Sequence, residues 1–305
     1  MWIVSRFAPS PTGRLHLGHA YSAVRAHDLA RHKGGQFLLR IEDIDGTRSR
    51  DHFIAGIEED LAWLGLSWDG PVIRQSARMG PYTEALEKLR AMGLIYPCFC
   101  TRAEIAASAS APHGAEGPVY PGTCRNLSVA ERATRMGEPH CWRLDMGKAV
   151  AACAPSPFQG RGEDCKSALP ETADHPLSQP SPRQRGEGLW WRDAFAGWVE
   201  ADPASAGDVV LARKETPTSY HLAVTVDDAA QGVTDVVRGI DLFEATHVHR
   251  LLQGLLGLPT PEYHHHQLLI GPDGKRLAKR NGARPLAELR ADGADPAELL
   301  ATLRA

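Results

Sequence analysis

Trp2 to Phe7 reads as a short buried strand, and the chain then breaks into Ala8-Pro9-Ser10-Pro11-Thr12-Gly13 before a helical pattern begins near Leu15. Leu17, Ala20, Val24 and Leu29 recur at helical spacing as far as His32, and Gly34-Gly35 ends the helix. Gln36 to Ile41 is strand-like again. Phe53, Ile54, Ile57, Leu61 and Leu64 line one face of a second helix stopped by Gly65. Strand, helix, strand, helix at this spacing implies right-handed crossovers and a parallel sheet. The expected fold is therefore α/β, a doubly wound sheet of the Rossmann type.

Further along, Tyr82 to Met92 has the pattern of another amphipathic helix, closed by Gly93. Ile95 to Cys124 is rich in Cys, Pro and Gly and has the character of an inserted small module. Pro155 to Gly188 carries six prolines and hardly an apolar group, and "PSPFQGRGE" returns imperfectly within it as "PSPRQRGEG". So little apolar surface cannot offset the entropy of ordering, which predicts a flexible surface insertion. Asp208 to Arg213 and Leu222 to Val226 read as strands, and Phe243 to Leu256 as a helix ended by Gly257. The expected division is 1–95 and 191–257 as two halves of the sheet domain and 96–190 as the inserted subdomain. Residues 258–305 are then a loop with a short helical tail.

The bulk numbers exclude some functions. A formal charge of −3 argues against a wholesale nucleic-acid coat but leaves room for a local basic groove. No stretch approaches the roughly 20 apolar residues that span a bilayer. The N-terminus shows no cationic leader with a cleavable apolar core, so a cytoplasmic location is expected, with no membrane association. Disulfides are rare there, which leaves the six cysteines as thiols or metal ligands.

Open α/β sheets bind ligands beyond the carboxyl ends of their strands, and helix N-termini in that position favour phosphate. Arg6 to Ala20 lies there. Gly13 and Gly18 carry no side chain to hold a purine or phosphate off the backbone. His16 and His19, three apart, share one face of the incipient helix and can donate hydrogen bonds to phosphate oxygens as charge grows in a transition state. The blander reading is a strand–turn–helix corner with two surface histidines. "GPDGKRLAKRNGAR", Gly271 to Arg284, sets Lys275, Arg276, Lys279, Arg280 and Arg284 among glycines, either a solvated basic loop or a set of cations placed beside a triphosphate. Cys98, Cys100 and Cys124 suit three corners of a tetrahedral zinc site and leave it one ligand short. Tyr120 and His113 both lie within that segment.

"RFAPSPTGRLHLGHA" resembles the first signature of class I aminoacyl-tRNA synthetases, with His16-Leu17-Gly18-His19 as its core, in the form used by the glutamyl/glutaminyl branch. "RIEDID" (40–45), "RQSAR" (74–78), "LIYPCFCT" (94–101) and "SYHLAVTVDDAAQGVTDVVRGIDL" (219–242) continue the resemblance. Arg276-Leu277-Ala278-Lys279-Arg280 stands where the family has its second signature. Arg276 replaces the first lysine of that motif and Ala278 its serine; the lysine used on ATP is retained as Lys279.

The resemblance implies roles for individual residues. His16, His19 and Lys279 are catalytic; Pro9, His16, Gly18, His19, Arg276 and Lys279 bind ATP with Mg2+. Arg6, Ala8, Ser10, Glu42, Tyr220 and Arg238 form a glutamate pocket. In it Arg6 and Arg238 hold carboxylate groups, Glu42 neutralises the ammonium group and Tyr220 donates a hydroxyl.

The Cys-x-Cys…Tyr-x-x-x-Cys segment and the absence of an anticodon-binding domain after the basic loop narrow the resemblance to the glutamyl-Q branch. Tyr120 is there implied as the fourth ligand of one structural zinc beside Cys98, Cys100 and Cys124, with His113 as the competitor. Cys141 is expected as a core thiol, and the protein as a monomer. The implied function is ATP-dependent activation of L-glutamate without RNA, then transfer to queuosine in the anticodon loop of tRNA(Asp). The rivals are a truncated glutamyl-tRNA synthetase charging tRNA(Glu), a cytidylyltransferase-like enzyme that shares H-x-G-H, and a non-catalytic RNA-binding paralogue.

Overall fold

The computed structural model describes residues 2–101, 103–105, 119–153, 188–271 and 284–305. Its backbone is a seven-stranded sheet in the order β3 (Ile73–Arg74), β2 (Gln36–Ile41), β1 (Val4–Phe7), β9 (Asp235–Gly239), β10 (Glu262–His266), β6 (Trp190–Asp193) and β7 (Gly197–Glu200), parallel except for the last strand. At the centre stands β1 (Val4–Phe7), buried along its whole length and paired with β2 (Gln36–Ile41) and β9 (Asp235–Gly239). Trp2, expected within this strand, lies outside it and is 63% exposed; the strand begins where Thr234 can cap the amide of Val4.

Helix α1 (Leu17–His32) joins β1 to β2 and buries Ala20, Ala23, Val24 and Ala30 against the sheet. Its exit is made by Gly34 at φ +66° and by Gly35, whose missing Cβ would stand 2.1 Å from the carbonyl oxygen of Ile3. Helix α2 (Asp51–Trp63) turns Ile57 and Leu61 into the same core, each contributing roughly 1.5–3 kcal/mol relative to exposure.

A second, three-stranded antiparallel sheet of β4 (Ile95–Cys98), β5 (Cys141–Leu144) and β8 (Val210–Ala212) carries the cysteine segment. Helix α3 (Met79–Ala91) precedes it. The expected segment boundaries shift accordingly. Strand β8, assigned to the second half of the sheet domain, pairs with the inserted sheet. Strand β10 (Glu262–His266), assigned to the C-terminal segment, belongs to the parallel sheet.

Leu222–Val226, expected as a strand, is the middle of helix α6 (Tyr220–Ala230), and this corrects the reading of its apolar run. Leu222, Ala223, Val224 and Thr225 are buried in succession because α3 and α7 (Ala245–Leu256) cover α6 from two sides. A short run covered all round has no period to read. Thr225 satisfies its hydroxyl on the His221 carbonyl one turn back, at 2.8 Å.

The remaining helices are α4 (Val129–Arg135) and α5 (Met146–Cys153) beside the small sheet, and α8 (Leu286–Ala291) and α9 (Pro296–Arg304) at the C-terminal end. Arg304 ties α9 to Asp28 of α1 through two hydrogen bonds of 2.7 and 2.8 Å. Among the described residues no helix is long and apolar enough to cross a membrane. The basic loop with Arg276 and Lys279, His113, and the Pro-rich insertion up to residue 187 lie outside the described residues.

Candidate active site

A cavity of about 370 Å³ opens at the carboxyl ends of β1, β9 and β10, against the N-terminus of α1. Arg6, Ala8, Pro9, Ser10, His16, Gly18, His19, Glu42, Tyr220 and Arg238 all line it. These ten come from four separate parts of the chain. A larger hollow of about 500 Å³ behind β10 holds none of them and shares only Val237 and His266 with this cavity.

The two histidines are held by the helix they start. His16 is the N-cap of α1: its Nδ1 accepts the amide of Gly18 at 3.1 Å, and Nδ1 of His19 accepts the amide of His16 at 3.2 Å. This is a capping box built from imidazoles. Because each Nδ1 is an acceptor, the proton of each neutral ring sits on Nε2. The rings lie 3.8 Å apart between centroids, at the positive end of a 16-residue helix. Leu286 donates its amide to the Leu15 carbonyl at 2.9 Å, and Pro285 forms a strand bridge with His16. The residues before 272–283 reach the same place, since Leu268 and Leu269 line the cavity.

Deeper in, the charges divide unequally. Arg6 donates through Nε and Nη2 to the carboxylate of Asp228, at 2.9 and 3.3 Å, and Arg40 shares that carboxylate at 2.8 Å. Burial disfavours the charge of Asp228, but Arg6 and Arg40 more than offset it and hold its carboxyl below the ordinary value. Glu42 takes a 3.3 Å contact from Arg40; burial wins there and its carboxyl is pushed up. Asp227, beneath, accepts from Tyr82, Gln75 and Arg78 at 2.6, 3.0 and 2.8 Å.

Arg238 differs from the other buried arginines. It is 6% exposed, and among the described residues no carboxylate lies within ion-pair distance of it. Its guanidinium donates to His265 Nε2 at 3.1 Å, to Thr246 Oγ1 at 2.5 Å and to the Tyr220 hydroxyl at 3.3 Å. A buried cation of this kind is costly unless something anionic arrives.

The cysteine segment forms a second centre. The sulfurs of Cys98, Cys100 and Cys124 lie within 4.8 Å of one another, and Cys100 and Cys124 are 3.5 Å apart. Tetrahedral zinc with sulfur at ~2.3 Å spaces its ligands roughly 3.8 Å apart, so the donor set fits with little movement. The Tyr120 hydroxyl stands 3.6 Å from Cys100 Sγ and accepts the Cys124 amide at 2.8 Å. Cys141, expected as a core thiol, is half-buried, packs against the cluster of Tyr96, Phe99 and Tyr120, and sits opposite Cys98 in the β4–β5 register.

The sequence gives no role to Asp228, Arg40, His221, Thr246, His249, His265 or Asp193. His221 and Asp228 fall within "SYHLAVTVDDAAQ" and Arg40 within "RIEDID", motifs that carry the resemblance without assigning these residues a part. The others lie where no motif points.

A parallel sheet with an imidazole-capped helix at its switch region, beside a cavity lined by Arg6 and Arg238, is the arrangement of a class I aminoacyl-tRNA synthetase catalytic domain. The family model described as "tRNA synthetases class I (E and Q), catalytic domain" matches residues 2–168 and 180–305, and the chain belongs to that family. It is 48% identical to a glutamyl-Q tRNA(Asp) synthetase of Rhodobacter capsulatus, over 97% of this chain and 98% of that one. It is 43% identical to the enzyme of the same name from Symbiobacterium thermophilum, over 96% and 83%. A crystal structure of glutamate-tRNA synthetase from Elizabethkingia anophelis superposes with a TM-score of 0.69 at 28% identity, covering 92% of this chain and 53% of that one.

Proposed function

We propose that the protein is a ligase that activates L-glutamate with ATP and transfers it to the queuosine base of tRNA(Asp), a cytoplasmic activity. The observation that carries this reading is Arg238, a buried cation without a carboxylate partner among the described residues, in one cavity with the His16/His19 corner. Glutamate at neutral pH brings two carboxylates and one ammonium group. Its α-carboxylate is consumed in the first step, whereas the side-chain carboxylate stays charged throughout. A permanent, uncompensated cation suits the persistent charge, so Arg238 takes the side chain. Arg6, already paired with Asp228, lies beside the α-carboxylate. Glu42, Ser10 and the Ala8 backbone receive the ammonium end.

In the first step a glutamate α-carboxylate oxygen attacks the α-phosphorus of ATP. The bond to the bridging oxygen of the β-phosphate breaks, and pyrophosphate leaves with that electron pair. Nε2–H of His16 and of His19 point their protons toward the phosphates, stabilising charge that grows in the transition state. Pro9 and Gly18 border the nucleotide. By the family resemblance Lys279 and Arg276 serve the leaving pyrophosphate, and ATP enters as its Mg2+ complex. In the second step a hydroxyl on the cyclopentene ring of queuosine attacks the glutamyl carbonyl and AMP departs. Zinc held by Cys98, Cys100, Cys124 and Tyr120 would cross-link the small sheet and take no part in bond making.

Labelled pyrophosphate supplied with glutamate and ATP, without RNA, should enter ATP. His19→Ala and Lys279→Ala should each slow that exchange at least ~100-fold, the scale of losing one transition-state donor, with the fold intact. Presenting tRNA(Asp) with and without queuosine, beside tRNA(Glu), then reads the acceptor. Label on tRNA(Glu) alone would establish the truncated glutamyl-tRNA synthetase instead, and RNA binding without exchange the non-catalytic paralogue.

A further inference from the structure

Every group that the described residues hold against the guanidinium of Arg238 is uncharged, and three of the residues behind that arrangement are histidines. A guanidinium has only donors, so a ring nitrogen that faces it is an acceptor and carries no proton. His265 presents Nε2 to Arg238 Nε at 3.1 Å; its proton is therefore on Nδ1, which donates to Asp193 Oδ2 at 2.8 Å. His249 presents Nδ1 to Arg238 Nη1 at 3.4 Å, and its Nε2 faces Nδ1 of His221 at 3.2 Å. The chain of donors runs outward from Arg238 along both branches and leaves all three rings neutral.

Burial acts in the same sense, disfavouring the protonated form of His221, His249 and His265. Asp193, the carboxylate behind His265, is kept an imidazole's width away and is anchored by the amides of Phe195 and Ala196 at 2.9 and 2.8 Å. Arg6, in the same cavity, shows the opposite solution, with a carboxylate directly on it.

We propose that this shell of three neutral histidines, His221, His249 and His265, sets the preference for glutamate over glutamine by keeping carboxylates off Arg238. The inference rests on the cavity being the glutamate site, as argued above. An uncompensated guanidinium attracts an ionised carboxylate strongly in a site that excludes water. The carboxamide of glutamine supplies one acceptor and no charge, and leaves the cation buried unpaired. Had a carboxylate occupied the place of His249, the arginine would already be neutralised and the two ligands would differ far less.

The test is a pair of variants that differ by one charge. His249→Asn and His249→Asp each place Oδ1 near the position of Nδ1 and lose the same contact to His221. Pyrophosphate exchange without RNA gives kcat/KM for glutamate and for glutamine. His249→Asn should keep the wild-type ratio within about threefold, and His249→Asp should lower it at least tenfold relative to His249→Asn, mainly through the glutamate KM. Thr246→Asn and Thr246→Asp repeat the comparison at Nη2, and decide the matter if His249→Asp does not melt cooperatively. Equal ratios within both pairs, or an equal loss in the Asn variants, overturn the inference while leaving the glutamate reading in place. A wild-type protein without glutamate-dependent exchange would overturn both.

Discussion

Lowering the pH from 7.5 to 5 should destabilise this fold through its buried histidines, and His221 allows the size of the effect to be worked out. Burial, reinforced by the charge of Arg238, pushes its imidazole down from the ordinary 6.5 to about 4. The unfolded chain takes up a proton near 6.5 and the folded one only near 4, so the stability His221 confers is complete above 6.5. It is lost progressively as pH falls towards 4. At pH 5 the unfolded ring is almost wholly protonated and the folded ring almost wholly neutral, a difference of about 2 kcal/mol. That is a large part of a typical domain's ~5–15 kcal/mol.

Asp60 works in the other direction. Burial pushes its carboxyl up to about 6 despite Arg290, so over the same interval it returns about 1.4 kcal/mol. The net slope therefore understates the histidine effect, and a variant isolates it. Urea unfolding of wild type and His221→Asn at both pH values gives four free energies. The wild type should lose about 2 kcal/mol more between pH 7.5 and 5 than the variant does. A pH loss in the variant equal to that of the wild type within ~0.5 kcal/mol, the reach of such measurements, would refute the reasoning.

Two further perturbations address other parts of the molecule. Gly35→Ala should cost ~1–3 kcal/mol or more in urea unfolding at pH 7.5, because the new Cβ meets the Ile3 carbonyl, which the Gln36 amide holds in place at 2.8 Å. Cys100→Ser should abolish zinc in metal analysis of the purified protein, whereas Cys141→Ser should retain it; loss of metal from both would place Cys141 among the ligands.

The first half of the fold was legible because its punctuation is local. Gly34, Gly65 and Gly93 stand at positive φ where the helices end, and the apolar faces between them are one-sided and periodic. Strand β10, Glu262-Tyr263-His264-His265-His266, has no apolar alternation to read, because beside the core residue Tyr263 its buried positions are histidines. Helix α6 was misread because it is covered on both sides. At the site, His16, Gly18 and His19 are legible from the spacing of one corner, whereas Arg6, Ala8, Ser10, Glu42, Tyr220 and Arg238 follow only from the resemblance to the synthetase family. The shell behind Arg238 follows from neither: Asp193, Thr246, His249 and His265 come from three separated elements, and only tertiary hydrogen bonds bring them together.

The bridge between His16 and Pro285, with the amide of Leu286 on the Leu15 carbonyl, makes the C-terminal helices a clasp on the His16/His19 corner proposed to hold the nucleotide. Trimming α8 and α9 would orphan that carbonyl and release the residue whose ring begins α1. The injury would surface as weakened ATP affinity far along the chain from the cut.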